Sequence, residues 1–302
     1  MSPRGELQQQ GVFANVMVGV DGEQGGRDAI ALARRLALPG ATLTLAHVCT
    51  GLHSPFHTVA PGHVGADRED AEELLGRERE RAGIDAELVV SESSSPARGL
   101  HELAEAHETD LLVLGSCRRG VFARATLGDD TRAALNGAPC AVAVAPAGYE
   151  AESRQFARIG VGYDASDESA AALTAARALA HHTGATVRAL RVVGWPHYMY
   201  TGVVPPAGEG ADELLRRAES DLRGLAGVDA EAIFGTPRED LASFSRGVDL
   251  LVVGSRGYGP ARRLVEGSTS RYLLGHSRAP LLVMPRGVAA GAPAWADREA
   301  VA

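Results

Sequence analysis

The chain contains no lysine, so all thirty of its cationic side chains are arginines. This absence excludes the phosphate-loop lysine of many ATP enzymes, the lysine of protein kinases and any Schiff-base chemistry. Any phosphate site in this chain must therefore work without a lysine ammonium group.

Cysteine is also scarce. The three cysteines, Cys49, Cys117 and Cys140, are odd in number and widely spaced, which indicates neither a disulfide framework nor a zinc ligand set. Cys140 is expected in a buried strand. Cys117 is expected in a loop, either as a reactive thiol or as an ordinary loop residue.

The chain also lacks long apolar runs and an excess of positive charge. The longest apolar runs have about the length of a strand, so no transmembrane helix is expected. Residues 1–11 are polar and unlike a signal peptide, and we therefore expect a cytoplasmic protein. The net charge of −8 argues against a nucleic-acid or membrane partner.

An internal repeat divides the chain into two similar halves. The segment VGVD ending at Asp21 recurs as VGYD ending at Asp164, and DLLVLGS from Asp110 recurs as DLLVVGS from Asp249. At 302 residues the chain has room for two domains. We predict one domain at residues 1–147 and one at residues 156–287, with a linker over Ala145–Phe156.

Strand and helix patterns alternate within each half. The predicted helices include Ala29–Leu38, Asp67–Arg81, Ala170–His181 and Ala211–Leu225, and further helices begin near Pro96 and Pro237. Alternation of this kind favours an α/β fold with a parallel sheet and helices on both faces. Ligands bind such sheets beyond the carboxyl ends of the strands, so each half is expected to have one site between its first strand and its glycine-loop strand.

The second half contains a spaced glycine set, G-x2-G-x9-G-S, at Gly254, Gly257, Gly267 and Ser268. The set lies between an apolar strand and the predicted start of a helix at Ser268. Exposed amides and the helix dipole at such a place favour a phosphate group. A glycine-rich turn without any ligand is the alternative interpretation.

These motifs, together with the closing Ala-Pro segments, resemble the universal stress protein family, present here in tandem. The resemblance covers nearly the whole chain apart from its tails. It implies two open, parallel, five-stranded sheets of order 3-2-1-4-5, Rossmann-like and similar to adenine nucleotide alpha hydrolases. It also implies ATP binding wherever the glycine motif is kept, and pairing of the two halves through their closing strands.

The resemblance assigns a set of nucleotide-binding residues in the second half. They are Asp164, Val192, Val193, Val253, Gly254, Gly257, Gly267, Ser268, Thr269 and Ser270. Other interpretations stay open for several of them. Asp164 and Ser268 could only cap helices, and Val192 and Val193 could be ordinary core residues.

The first half departs from the motif. Arg118 replaces the second glycine, and Asp129 replaces the serine that follows the last glycine. A carboxylate beside a phosphate could weaken binding by about a hundredfold. We therefore expect little or no ATP binding in the first half.

The expected function is that of a universal stress protein that binds ATP in its C-terminal domain, with Mg²⁺ as a candidate companion, and acts as a nucleotide-dependent regulator in the stress response. A slow ATPase or nucleotidyl-transfer enzyme on the same scaffold is the alternative, and no catalytic residue is assigned. A nucleotide-free interaction module is the third hypothesis. Besides the nucleotide, the expected partners are the other half of the chain and a second copy in a homodimer.

Overall fold

The first half of the computed structural model forms five strands and the helices that connect them. The structure describes residues 12–50, 63–116, 129–152, 155–194, 211–255 and 267–285. The strands of the first half are β1 (Phe13–Gly19), β2 (Ala37–Cys49), β3 (Glu87–Glu92), β4 (Leu111–Gly115) and β5 (Ala141–Ala145). Its helices are α1 (Gln24–Leu36), α2 (His63–Ala82), α3 (Pro96–Ala106), α4 (Asp129–Leu135) and α5 (Tyr149–Glu152).

The second half repeats this order of elements. Its strands are β6 (Arg158–Gly162), β7 (Thr186–Gly194), β8 (Asp229–Gly235), β9 (Leu250–Gly254) and β10 (Leu281–Met284). Its helices are α6 (Asp167–Thr183), α7 (Ala211–Arg223), α8 (Pro237–Phe244) and α9 (Ser268–His276), with a short 3₁₀ turn at Ser245–Gly247. Helices α1 and α6 begin at Gln24 and Asp167, before the predicted Ala29 and Ala170, and Ser166 caps the start of α6.

One sheet of ten strands runs through both halves, in the order β3-β2-β1-β4-β5-β10-β9-β6-β7-β8. Each half is parallel and has the predicted order 3-2-1-4-5. The predicted fold class is confirmed with one correction: the two five-stranded halves form a single sheet, because β5 and β10 pair antiparallel. The pairing joins Val142 to Val283, Ala143 to Leu282 and Val144 to Leu281.

Local sequence signals account for several helix ends. Pro96 and Pro237 lie in the first turns of α3 and α8, where the missing amide hydrogen of proline costs nothing. Ser95 caps α3 by accepting a hydrogen bond from the amide of Arg98. Gly184 caps the C-terminal end of α6, and its positive φ of 74° suits a residue without a side chain.

Apolar side chains fill both faces of the sheet. One cluster of buried residues includes side chains from α1, α2 and α6 and runs across both halves. The cluster on the other face includes side chains from α3, α4, α8 and α9. Each fully buried leucine or valine contributes about 1.5–3 kcal/mol, so these two layers stabilise the joined sheet. Among the described helices, none has the length and apolar character needed to cross a membrane.

An aspartate before the fourth strand of each half links two neighbouring strands. Asp110 accepts hydrogen bonds from the amides of Ala14 (2.7 Å) and Asn15 (3.2 Å) at the start of β1. Asp249 accepts from the amides of Ala157 (2.9 Å) and Arg158 (2.7 Å) at the start of β6. The repeated DLL segment therefore holds the first strand against the glycine-loop strand in both halves.

The predicted linker contains the end of β5 and helix α5, which is attached to the first half. The buried carboxyl group of Asp28 in α1 accepts hydrogen bonds from the amides of Gly148 and Glu150, both at 2.8 Å. Tyr149 and Phe156 are buried in the cluster shared by the two halves. The connection between the halves is thus part of the packed structure.

Candidate functional site

A cleft opens at the carboxyl ends of β6 and β9, between the first turns of α6 and α9. This is the position that the strand order predicts for a ligand, since β6 and β9 are the central neighbours at which the order reverses. Residues from these two helices, from the ends of the strands and from α8 line the cleft. The contribution of each element is described in turn.

The turn between β6 and α6 is shaped by Asp164. The Oδ1 atom of Asp164 accepts hydrogen bonds from the amide and the hydroxyl group of Ser166. Ser166 is the N-cap of α6, and its hydroxyl oxygen accepts from the amide of Ser169 at 3.2 Å. Ala165 between them has a positive φ of 64°, which is unfavourable for a residue with a side chain. Asp164 therefore fixes the turn, and Ser166 performs the capping.

The first turn of α9 presents backbone amides that no side chain of the described residues caps. Its N-cap is Gly267, which makes no side-chain cap hydrogen bond. The first intrahelical bond runs from the Arg271 amide to the Gly267 carbonyl at 3.0 Å, so the amides of Ser268, Thr269 and Ser270 precede it. Amides in this position, together with the helix dipole, favour an anion.

Strand β9 reaches the cleft with a small residue at its end. A Cβ atom on Gly254 would lie 2.6 Å from the backbone carbon of Glu168 in α6, so only glycine allows this close approach. The next residue, Ser255, is fully buried, and its Oγ atom has no hydrogen-bond partner within the described ranges. Ser116 has the same position and the same unpartnered Oγ in the first half, so this feature does not distinguish the two halves.

An apolar wall borders the polar turns. The side chains of Leu190 and Val192 from β7, Val253 from β9 and Leu241 from α8 line the cleft, and Pro237 completes this side. Leu190, Leu241 and Val253 are buried in the core cluster of the same sheet face. The cleft thus combines an apolar side with a side of exposed amides, hydroxyl groups and carboxyl groups.

Most of the site residues predicted from the sequence line this one cleft. They are Asp164, Val192, Val253, Gly254, Gly267, Ser268, Thr269 and Ser270. Val193 does not line it, since adjacent strand residues point to opposite faces of a sheet. Gly257 lies outside the described residues.

Several residues line the cleft without having been predicted. They are Gly162, Tyr163, Ser166, Glu168, Ser169, Leu190, Pro237 and Leu241. The S-D-E-S run after Asp164 could have identified the first turn of α6 as part of the site, because that helix begins directly beyond β6. Leu241 had no comparable signal, since its pattern is that of an ordinary core leucine.

The corresponding region of the first half is arranged differently. Thr131 in α4 donates a hydrogen bond to the carbonyl of Gly115 at 3.1 Å, which links the helix to the end of β4. Its counterpart Ser270 donates to Gly267 at 3.1 Å and stays within its own helix turn. A Cβ atom on Gly115 would lie only 1.9 Å from the carbonyl oxygen of Gly25 in α1. In the first half these contacts bring both helix starts against the end of β4.

The cleft of the second half is open and small. It encloses about 80 Å³, whereas ligand pockets usually have volumes of about 300–1,000 Å³. A ligand of nucleotide size would therefore require the cleft to widen. The geometry suits a ligand with an anionic end at the start of α9 and an apolar part against β7.

Comparison with known proteins identifies the family. A family model described as the universal stress protein family matches residues 13–146 and residues 155–285. Each match covers the five strands of one half. The two matched ranges together include well over half of the chain.

Individual relatives match this chain over nearly their full length. A universal stress protein of Mycobacterium tuberculosis (strain ATCC 25618 / H37Rv) is 26% identical over 294 residues, which cover 89% of this chain and 99% of the relative. A second one from the same strain is 29% identical over 294 residues, with 89% and 96% covered. A universal stress protein crystal structure from Archaeoglobus fulgidus DSM 4304 is 20% identical and has a TM-score of 0.64, covering 91% of this chain and 99% of that one.

Proposed function

The chain belongs to the universal stress protein family, and we propose that it binds one ATP molecule, in the cleft of its second half. The observation that carries this proposal is the uncapped first turn of α9, which faces Gly254 at the end of β9. Uncapped amides at a helix start form an anion site that needs no lysine, and this chain has none.

The two sides of the cleft fit the two ends of a nucleotide. The amides and hydroxyl groups of Ser268, Thr269 and Ser270 would bind the terminal phosphates. The apolar side at Val192 and Leu241 would contact the adenine base. Asp164 would lie next to the bound nucleotide, since it lines the cleft at the end of β6. Gly257 remains a predicted backbone contact to the phosphates, and Val193 remains a predicted apolar contact to the adenine.

Magnesium is the proposed companion of the phosphates. Mg²⁺ in nucleotide sites is usually held by one or two carboxylates together with phosphate oxygens. Asp164 and Glu168 are the two carboxyl groups that line the cleft. They suit a metal that arrives with its nucleotide, whereas no cluster of three or more metal-ligating side chains exists within the described ranges.

The first half is proposed to have a structural or regulatory role. Thr131 ties α4 to the end of β4, and the sequence places Asp129 where the second half has Ser268. The ATP-bound second half would change its association with partners in the cytoplasm during the stress response. A homodimer of the whole chain belongs to the same proposal.

A slow ATPase or nucleotidyl-transfer enzyme is the second candidate function. The observation that favours it is the pair Asp164 and Glu168 beside the proposed phosphate site, since carboxylates can position a metal ion or a water molecule. Steady release of ADP above that of a Ser268→Ala variant would favour the enzyme. ATP that stays intact during overnight incubation would exclude it.

The replacement of Ser268 and Thr269 by aspartate tests the binding proposal. The double variant Ser268→Asp/Thr269→Asp gives α9 the two carboxylates that the first half has at Asp129 and Asp130. We expect the affinity for ATP, measured by isothermal titration, to fall about a hundredfold. Acidic residues in the first turn of a helix are favourable to the helix, so the variant should keep its melting temperature.

The reciprocal variant is the matched control. Asp129→Ser/Asp130→Thr changes the same two helix positions in the first half and should leave the affinity for ATP at the second half unaltered. Undiminished binding by the Ser268→Asp/Thr269→Asp protein, at an unaltered melting temperature, would refute the proposed location. Wild-type protein that does not bind ATP would refute the function.

A further inference from the structure

A second cleft lies on the first half, between α1, α2 and α5. It has a volume of about 390 Å³, which is within the usual range of about 300–1,000 Å³ for ligand pockets. Four arginines line it together with two glutamates: Arg27, Arg34, Arg35 and Arg81 with Glu78 and Glu150. The remaining wall is formed by Ile30, Ala31 and Ala82. The charged side chains give the cleft a formal charge of +2.

The guanidinium groups of Arg27 and Arg34 are held in place by hydrogen bonds that leave them further donors. Arg27 binds the buried Glu78 at 3.1 Å and donates to the Gly22 carbonyl at 3.2 Å. Arg34 donates to the Ala82 carbonyl at 3.2 Å. A guanidinium group has five N–H donors, so these bonds do not exhaust it.

Comparison with the second half shows which arginines of this cleft belong to the shared fold. Arg177 in α6 is the counterpart of Arg34 in the repeat, and it donates to the Ala226 carbonyl at 2.9 Å in the same way. The counterparts of Arg27 and Arg35 are Ala170 and Ala178. The shared fold therefore uses the arginine at the position of Arg34 and Arg177 in both halves. It does not need Arg27 and Arg35, which alanine replaces in the second half.

We propose that this cleft is a binding site for a compact polyanion such as a diphosphate. Arginine binds phosphate oxygens with paired hydrogen bonds, and Arg27 is already oriented by Glu78. The polar lining favours a small, multiply charged group over an apolar ligand. The nucleotide cleft is at the start of α6 and α9, so the two sites share no residue.

The site contacts the connection between the two halves. Arg81 in α2 lies 3.6 Å from Glu150 in α5, which is the linker helix that Asp28 holds on α1. A bound diphosphate competes with Glu150 for Arg81. Binding should therefore alter the environment of the Gly148 and Glu150 amides, and through them the joint between the halves.

Titration with inorganic pyrophosphate tests the site. The full chain should carry Ser268→Asp/Thr269→Asp, so that binding at the nucleotide cleft does not contribute and the outcome does not depend on ATP binding. In this background, Arg35→Ala/Arg81→Ala should weaken pyrophosphate binding by about tenfold or more. Both arginines are exposed, and the Arg81–Glu150 pair contributes little stability, so the variant should fold.

Arg216→Ala/Arg217→Ala is the matched control, because it removes two exposed arginines of α7 and alters the net charge equally. It should leave the affinity unaltered. Amide exchange on addition of pyrophosphate should change at Gly148 and Glu150. The proposal is overturned if both variants bind equally, if no binding is measured, or if only amides of residues 267–271 respond.

Discussion

At the scale of single residues, the candidate nucleotide cleft depends on the absence of side chains at a few positions. Gly254 lets the first turn of α6 come close to the end of β9, because a Cβ atom there would lie 2.6 Å from the Cβ and the backbone carbon of Glu168. Gly267 leaves the start of α9 without a side-chain cap. The polar residues of both helix starts can therefore face one small space.

Replacement of Gly254 by alanine should displace the first turn of α6. Backbone atoms cannot yield as easily as a flexible side chain, so we expect the free energy of unfolding to fall by about 1–3 kcal/mol and ATP binding to weaken with it. Denaturant unfolding and isothermal titration measure the two effects. Gly275→Ala in α9 is the control, since a Cβ atom there meets nothing within 4 Å and helical alanine is slightly favourable. Equal stability of both variants would contradict this account of Gly254.

The sequence was most informative where a residue type has a narrow physical role. Gly254 and Gly267 were predicted because a strand, a glycine-rich segment and a helix start follow one another in the chain. Val192 and Val193 were both assigned to the ligand, although the alternation of a strand allows only one of them to face the cleft. Glu168 was missed, because a glutamate in the first turn of a helix is common for reasons of the helix dipole.

At the scale of elements, the two halves differ in how helices meet strand ends. Thr131 ties α4 to β4 in the first half, whereas Ser270 bonds within α9 and leaves β9 to the cleft. The attachment of α5 to Asp28 could not be predicted, because the hydrogen bond to Gly148 joins residues 120 positions apart. In the sequence, a buried aspartate in a helix such as α1 cannot be distinguished from an exposed one until its hydrogen-bond partners are known.

The link between β1 and β4 should depend on pH. Burial raises the pKa of the Asp110 carboxyl group from 3.8 to about 6, although its hydrogen bonds from the Ala14 and Asn15 amides oppose this rise. The folded protein therefore binds this proton more tightly than the unfolded chain does. The contribution of Asp110 to stability is fully present below about pH 4 and is lost as the pH rises through about 6.

Denaturant unfolding of the wild type and of Asp110→Asn between pH 4 and pH 7 measures this contribution. As the pH rises, the free energy of unfolding of the wild type should fall relative to that of the variant, because Asp110 titrates and asparagine does not. Asparagine can replace only one of the two accepting oxygens, so an offset that is independent of pH is also expected. A difference that stays constant over the whole range would refute the effect of burial on Asp110.

At the scale of the whole molecule, one sheet and two shared core layers join the halves. The order 3-2-1-4-5 within each half was implied by the resemblance, whereas the alternation of strands and helices predicted only a parallel sheet. The continuous sheet depends on the contact of β5 with β10. The resemblance implies pairing through these closing strands, whereas the sequence pattern by itself shows only two short apolar strands. Residues of both halves, such as Leu36 and Ile159, belong to one buried cluster.

The joined sheet predicts that the halves stay together after the linker is cut. A protease site inserted between Glu152 and Gln155 should be cleaved without separation of the fragments, because strand pairing and apolar packing still connect them. Size-exclusion chromatography of the cut protein, with the uncut protein as the control, should give one peak at the same volume. Two peaks at smaller sizes would show that the connection is only covalent.

The stoichiometry of ATP binding to the full chain tests the central claim most directly. Isothermal titration should give one ATP per chain, and the Ser268→Asp/Thr269→Asp variant should lose that binding. Two ATP molecules per chain would contradict the proposed loss of the first site, and no binding would contradict the assignment of the cleft between α6 and α9.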